Sequence, residues 1–464
     1  MSESPPVSRR PPQARNRADR FTRTLRLPIQ SYIRVEELGA IGLLLAAVAA
    51  LVWVNSPWAD SYHTVWETPI TIDLGVIFVQ QHVRHWINDG LMAGFFFLLG
   101  LEIKREIVHG EVSNLRYAAL PIAAAVGGVV VPVALYMLLN VGGPGQHGWG
   151  VAMGTDTAFV LGILALLGRR IPLGLRVFLV TSTVIDDIGA ITVLALFYTA
   201  DINWAQIAVA GGFLTVLLVL TRLRVPVLSF YIILGGLMWL AVLNSGVHAV
   251  ITGVVIGLLV PASPRVTRDS FGETSKYLID EHLKAASMGD HPRADALLRE
   301  LKVSVRSVEA PVERMERFIH PWVAFLVLPV FALANAGIEL SGQHLRDGLG
   351  SNITVGVFIG LVVGKTIGIW GFSRLVVLLK IARLPQGVGW LQMLGISMLC
   401  GVGFTFAIYI AELAFDDAHP AKMGVIGASL VAGVSGYLVL FLAGRRAGSR
   451  LPAVKVQIGA ASKN

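Results

Sequence analysis

Three carboxylates and one amine stand inside otherwise apolar stretches of this chain of 464 residues. They are Asp156 in Gly154-Thr155-Asp156-Thr157, Asp186 and Asp187 in Thr183-Val184-Ile185-Asp186-Asp187-Ile188-Gly189, and Lys365 in Gly364-Lys365-Thr366. A charge at the centre of a bilayer costs about 2.5–3.5 kcal/mol even on a lenient insertion scale, so such groups are candidates for an ion or proton pathway. Together they leave a net negative site, which favours a small cation. Asp186 and Asp187 diverge by about 100° on a helix and are expected to serve different roles. Held close together in a low dielectric, two carboxylates do not readily both stay ionised, so the site should bind either protons or a metal cation. A structural ion pair of one aspartate with Lys365 is the alternative.

These residues need elements that cross a membrane, and the composition supplies them. Residues AVILMFWYC make up 54% and charged residues 15%, against about 25% charged in an ordinary soluble chain. Mean hydropathy is +0.67, which leaves too little polar surface for a water-soluble globule. Apolar stretches long enough to span fall at roughly 38–55, 86–104, 117–139, 149–168, 174–198, 205–221, 225–243, 247–261, 321–337, 353–378, 389–415 and 424–443. An even number of spans puts both termini on one side. With the termini inside, only Arg84, Arg346 and Lys422 of the 38 Lys and Arg residues fall outside, and Lys365 lies within a span. That asymmetry predicts a multi-pass membrane protein with both termini cytoplasmic. It also explains the basic pI of 9.7 as topology, with no nucleic-acid surface.

The expected organisation is an all-α polytopic membrane protein with a basic, disordered cytoplasmic tail at 1–35. Spans one to eight follow over 36–263, with a β-hairpin near 60–80 read from Thr64-Val65-Trp66 and Ile70-Thr71-Ile72 in an external loop. A cytoplasmic helical insert occupies 264–320, spans nine to twelve occupy 321–443, and a cytoplasmic tail runs over 444–464. The insert balances ten basic against ten acidic residues and reads as a solvated spacer. An external hairpin with unpaired edges offers a second copy a place to pair, so a homodimer is expected. The single cysteine, Cys400, cannot form an internal disulfide, and no Cys/His cluster has metal-ligand spacing. There is no phosphate loop, nucleophile with base, or cofactor motif, so the chain is not read as an enzyme.

Two spans carry features that break helices. Gly148, Gly150 and Gly154 precede Thr155 and Asp156 in the fourth, and Gly395, Gly401 and Gly403 surround Cys400 before Thr405 in the eleventh. Glycine weakens a helix by about 1 kcal/mol relative to alanine, while Thr and Asp can satisfy the backbone groups that an unwound stretch releases. The spacing predicts interrupted helices, although close helix packing would also use such glycines. Interruption leaves partial positive charge at half-helix starts and partial negative charge at half-helix ends. Asp156 is expected to offset the first and Lys365 the second.

The motifs TDTAF at 155–159, IDDIGAI at 185–191, SGVHA at 245–249, GKTIGI at 364–369 and CGVGFTF at 400–406 resemble those of the NhaA family of sodium/proton antiporters, over roughly 30–445. The resemblance implies twelve transmembrane helices in inverted-topology repeats, spans 3–5 against spans 10–12, with interrupted spans 4 and 11 crossing near the aspartates. It implies that Asp187 is the principal cation and proton carrier, that Asp186 is its neighbour in a sodium site, and that Thr155 and Asp156 form the polar pair on the broken helix. Lys365 matches an intramembrane lysine that serves as salt-bridge partner or proton carrier. Glu102 and Glu106 in GLEIKRE, and Glu316 and His320 in ERMERFIHP, match an acidic mouth linked to pH response. His248 is either a pH switch or a buried, neutral, hydrogen-bonded histidine. The implied function is electrogenic export of sodium or lithium against protons, without a cofactor, for sodium and pH homeostasis. The rival reading is a sodium-coupled organic-anion cotransporter on a related scaffold.

Overall fold

The computed structural model describes residues 35, 38–73, 78–113, 115–199, 202–223, 228–264 and 268–448. The tail expected at 1–35 falls almost wholly outside these residues, as does the 444–464 tail beyond 448. The described chain is nearly all helical. In order it forms α1 (Leu38–Val54), α2 (Ala59–Glu67), strands β1 (Pro69–Asp73) and β2 (Phe78–His82), α3 (Met92–His109), α4 (Leu115–Asn140), α5 (Thr157–Leu167) and α6 (Leu173–Phe197). Then come α7 (Trp204–Arg222), α8 (Leu228–Leu243), α9 (Val250–Leu259), α10 (Arg268–Ser287), α11 (His291–Val308), α12 (Pro311–Trp322) and α13 (Leu328–Asn335). The last are α14 (Asn352–Ile359), α15 (Lys365–Leu378), α16 (Trp390–Leu399), α17 (Phe404–Ala414) and α18 (His419–Gly448).

Among the described residues, seven helices are long and apolar enough to cross a membrane, or nine if each of two bent pairs counts as one span. Two of the seven, Pro311–Asn335 and Asn352–Leu378, run continuously through π-helical turns at Val323–Val327 and Gly360–Gly364. The stretches expected at 225–243 and 247–261 hold shorter apolar helices, Phe230–Leu243 and Val250–Leu259. The stretch at 86–104 begins with a π-helical turn, Trp86–Leu91, that continues into α3. Outward-facing Val, Ile and Leu side chains on α1, α7 and α8 form the apolar exterior that lipid, not water, would cover.

Near residue 60 the structure departs from the alternating pattern. Thr64-Val65-Trp66 lies in α2, while β1 and β2 pair antiparallel with Ile70 opposite Gln81. The reason is burial at helical spacing: Tyr62 and Trp66, four apart, are the buried residues of α2, and that period competes with alternation at two. The Tyr62 hydroxyl donates at 3.0 Å to the carbonyls of Leu333 and Ala334, fastening α2 to the end of α13.

The most deeply packed elements are the ones that carry the aspartates and the breaks. In α17 every residue from Phe404 to Ala411 is buried, whereas α7 and α8 share a small apolar cluster of their own, built on Ala210, Leu217, Met238 and Ala241. Lys365 is positioned by a close crossing of α4 and α15. A side-chain carbon on Gly127 would collide with the Gly368 carbonyl oxygen, and one on Gly368 with that of Gly127. Only glycine permits this approach, which brings Gly128 against the Lys365 side chain. Gly368→Ala is therefore expected to destabilise the protein by about 1–3 kcal/mol through overpacking. A thermal unfolding midpoint in detergent equal to that of the wild type would contradict the close approach.

Candidate functional site

Both interrupted helices are present. The first consists of a 3₁₀ arm, Gln146–Met153, an extended stretch through Gly154, and α5. The second is α16, a break at 400–403, and α17, bent by 42°. They meet at their breaks, where the Asp156 N–H donates to the Val402 carbonyl at 2.7 Å. Unwinding releases backbone groups that have no water to bond to, and side chains from the same two segments take them up.

Asp156 does more than the sequence reading assigns to it. Its Oδ1 accepts the Phe159 N–H at 3.0 Å, capping the start of α5, and its Oδ2 accepts the Thr405 N–H at 3.0 Å at the start of α17. One carboxylate thus neutralises the positive starts of both half-helices. At the negative end of α16 the Lys365 charge reaches Cys400, and a hydroxyl joins it. The Thr155 hydroxyl lies 3.1 Å from the Cys400 carbonyl oxygen, while Lys365 turns to a carboxylate, a stronger partner for an ammonium than a neutral carbonyl. Asp156→Asn keeps one acceptor and loses the other, so one half-helix start goes uncapped. The expected cost is about 1–3 kcal/mol, read as lowered thermal stability, and a variant as stable as the wild type would show that the two amides do not depend on this side chain.

Asp186 and Asp187 sit in the middle of α6, both buried, and their surroundings differ. Lys365 Nζ, which is 0% exposed, pairs with Asp186 Oδ2 at 2.6 Å. The Thr155 hydroxyl shares that oxygen at 2.8 Å, and Asp186 Oδ1 is buried with no hydrogen-bond partner among the described residues. Asp187 makes no hydrogen bond or ion pair among the described residues; it feels the charges of Asp186, Glu102, Lys365 and Asp156. The structural pair with Lys365 therefore belongs to Asp186, and the unpaired carboxylate is Asp187. Cys400 is also buried here. Among the described residues no group of three or more His, Cys, Asp or Glu side chains could hold a metal ion.

The other sequence candidates divide by position. Glu102, on α3, lies within electrostatic range of Asp187. Glu106, one turn on and buried, accepts from the Thr181 hydroxyl of α6 at 2.9 Å and from the Glu111 N–H at 3.0 Å. It borders a cavity of about 560 Å³ that Arg176, Val180 and Thr181 also line. Glu316 and His320 lie on α12, on the other side of α3. Glu316 is ion-paired with Arg105 and its second oxygen is buried without a hydrogen-bond partner among the described residues; His320 feels the Arg105 charge. His248 is apart from all of these. Its Nε2 lies 2.5 Å from the carbonyl oxygen of Tyr198 at the end of α6, about 16 Å along the helix from Asp187 at 1.5 Å per residue.

Sequence reasoning overlooked two groups. Asp89, in the turn that opens the 86–104 stretch, is a half-buried carboxylate whose charge reaches the Tyr409 hydroxyl. The signal was an acid next to Asn88 inside an apolar run. Tyr198 was missed as well: its hydroxyl accepts from the Gly150 N–H at 3.1 Å and donates to the His147 carbonyl at 2.8 Å. It ties the end of α6 to the 3₁₀ arm. An aromatic at a helix end gives no such signal in one sequence.

Residues 30–440 match the model of a family described as Na+/H+ antiporter 1. The Na(+)/H(+) antiporter NhaA of Koribacter versatilis is 42% identical over 419 residues, which cover 89% of this chain and 91% of that protein. The Na(+)/H(+) antiporter NhaA 2 of Acidiphilium cryptum is 44% identical over 415 residues, 88% of this chain and 90% of that one. The Na(+)/H(+) antiporter NhaA of Rhizobium meliloti is 41% identical over 434 residues, 92% of this chain and 96% of its own length. With the buried aspartates, the crossed breaks and these relatives in agreement, the chain belongs to the NhaA family of Na+/H+ antiporters.

Proposed function

We propose that this protein exports sodium, and lithium, in electrogenic exchange for protons across a bacterial inner membrane, by alternating access about a single site. The observation that carries the reading is Asp187, a carboxylate buried in an apolar bundle without a hydrogen bond or ion pair among the described residues. Such a group holds a proton or a cation and exchanges one for the other. Facing outward, Asp187 and either Asp186 or Lys365 take up protons. Facing inward they release them, and Asp187 with Asp186 binds sodium. Binding there requires Lys365 to leave Asp186 Oδ2, so the ion pair and the metal compete for the same oxygen. Two titrating groups give two protons per cation, and the membrane potential then contributes about 2.3 kcal/mol per net charge per 100 mV. Acid fills the site with protons and shuts transport.

The same proposal includes twelve spans with both termini cytoplasmic and spans 3–5 repeated upside down by spans 10–12. It assigns pH response to Glu102 and Glu106, which face α6, and to Glu316, His320 and His248. It also includes a homodimer formed through the β1–β2 pair. An organic anion as substrate is disfavoured because Asp156 already occupies the two half-helix starts that would receive it.

The test is sodium-driven dequenching of a pH-sensitive dye in vesicles across pH, with and without an imposed potential. Exchange that accelerates under the appropriate potential and fades on acidification is expected. Sodium uptake indifferent to pH, or sodium-dependent uptake of a labelled organic anion, would overturn the reading.

A further inference from the structure

The helical hairpin of α10 and α11 takes no part in the site, and its seam belongs to none of the three apolar clusters of the body. That seam is Leu278, Ala285 and Ala294, none more than 6% exposed, with His282 Nδ1 3.0 Å from the Ala294 carbonyl oxygen across it. Both ends of the hairpin enter the body at one neck, where the Val312 N–H donates to the Pro261 carbonyl at 3.2 Å. The apolar span Pro311–Asn335 begins there. The hairpin therefore stands where the chain meets the membrane surface.

Its two broad faces differ. At about 100° per residue, Ile279 and Leu283 lie on one flank of the α10 seam, and Leu298 and Val305 lie on the same side of the antiparallel α11. They are 45%, 60%, 45% and 53% exposed. Exposed Lys276, Arg299 and Lys302 border this face, against one acid, Asp295. The opposite face carries Glu273, Asp280, Glu281 and Glu300, relieved by two bases: Glu281 pairs there with Lys284 at 2.9 Å and Arg293 at 3.2 Å. The Lys284 hydrogen bond, its charge and that of Arg293 hold the Glu281 carboxyl below its usual range. Tyr277 and Val303 are exposed on the acidic side, so apolar area alone does not distinguish the faces. Charge does.

We infer that the face bearing Ile279, Leu283, Leu298 and Val305 docks on the anionic headgroups of the adjacent leaflet. The apolar side chains enter the headgroup boundary, and Lys276, Arg299 and Lys302 lie against lipid phosphates. The acidic face stays in water, and docking is independent of which ion the protein exchanges. An insert with balanced total charge acquires a ligand because its charges are sorted by face.

The test places full-length protein, with Leu283→Cys or Glu273→Cys carrying an environment-sensitive fluorophore, in nanodiscs of phosphatidylcholine with or without phosphatidylglycerol. The native Cys400 is buried, and unsubstituted protein provides the labelling blank. The label at 283 should shift to the blue and escape acrylamide only in anionic discs, while the label at 273 stays accessible in both. Each basic side chain near an anionic surface favours docking about fivefold, so K276Q/R299Q/K302Q should lower the docked-to-free ratio on the order of a hundredfold. Equal quenching at 283 in both lipids, or shielding that survives the triple substitution, would overturn the inference. So would shielding that appears only with two protein copies per disc, which would assign the face to a second copy.

Discussion

Asp187→Asn is expected to reduce sodium-dependent proton flux in vesicles to the background of protein-free membranes, while the protein folds at least as stably as the wild type. The two halves of this result come from one fact. Asp187 is buried without a hydrogen bond or ion pair among the described residues, so a neutral carboxamide of the same shape breaks no structural contact and removes the cost of a buried charge. It also cannot release a proton or offer a charged oxygen to a cation. Flux and thermal stability must be measured on the same preparation. Full exchange by this variant would remove Asp187 from the transport cycle, and loss of folding would give it a structural role that the geometry does not support.

Lys365→Gln should cost about 3–5 kcal/mol, because removing one partner of a buried pair strands the other charge. Lys365 is 0% exposed and Asp186 Oδ1 is buried without a hydrogen-bond partner among the described residues, so the pair has little solvent to fall back on. Lys365→Gln combined with Asp186→Asn removes both charges and is expected to recover most of that loss, since neutralising a whole buried pair is often close to neutral in stability. A double-mutant cycle on thermal unfolding reads the coupling directly. Additive losses would show that the pair does not hold α6 to α15. Charge movement in the single variant separates the proton-carrier models: its loss with sodium binding retained assigns the second proton to Lys365.

Much of this architecture was legible in the sequence because it rests on local signals. The breaks near Asp156 and Cys400 follow from glycine clusters beside polar residues, and the position of Asp187 follows from the scarcity of charge around it. What the sequence did not contain was pairing across long separations. Asp186 with Lys365, Thr155 with Cys400 and Asp156 with Thr405 join segments separated by 179, 245 and 249 positions, and no periodicity encodes such meetings; the charges alone offered Lys365 an aspartate partner without deciding which. Lys365 pairs with a carboxylate from another helix while its charge still reaches Cys400 at the end of α16. The error at Thr64-Val65-Trp66 is of another kind. Two apolar residues four apart and two apart can be read in either period over so short a stretch, and only the burial of Tyr62 with Trp66 decides it.

The double clasp of Asp156 also limits how the molecule can rearrange. A side chain that holds the first turns of two half-helices from separate segments, each through a backbone amide, behaves as an axle. If the two segments slid apart, both amides would be stranded in oil at about 1–3 kcal/mol each, whereas rotation about the shared carboxylate breaks neither bond. In the alternating-access cycle proposed above, opening one side of the bundle and closing the other would be easiest as a seesaw with Asp156 at its fulcrum, with the widest excursions at the ends farthest from that residue.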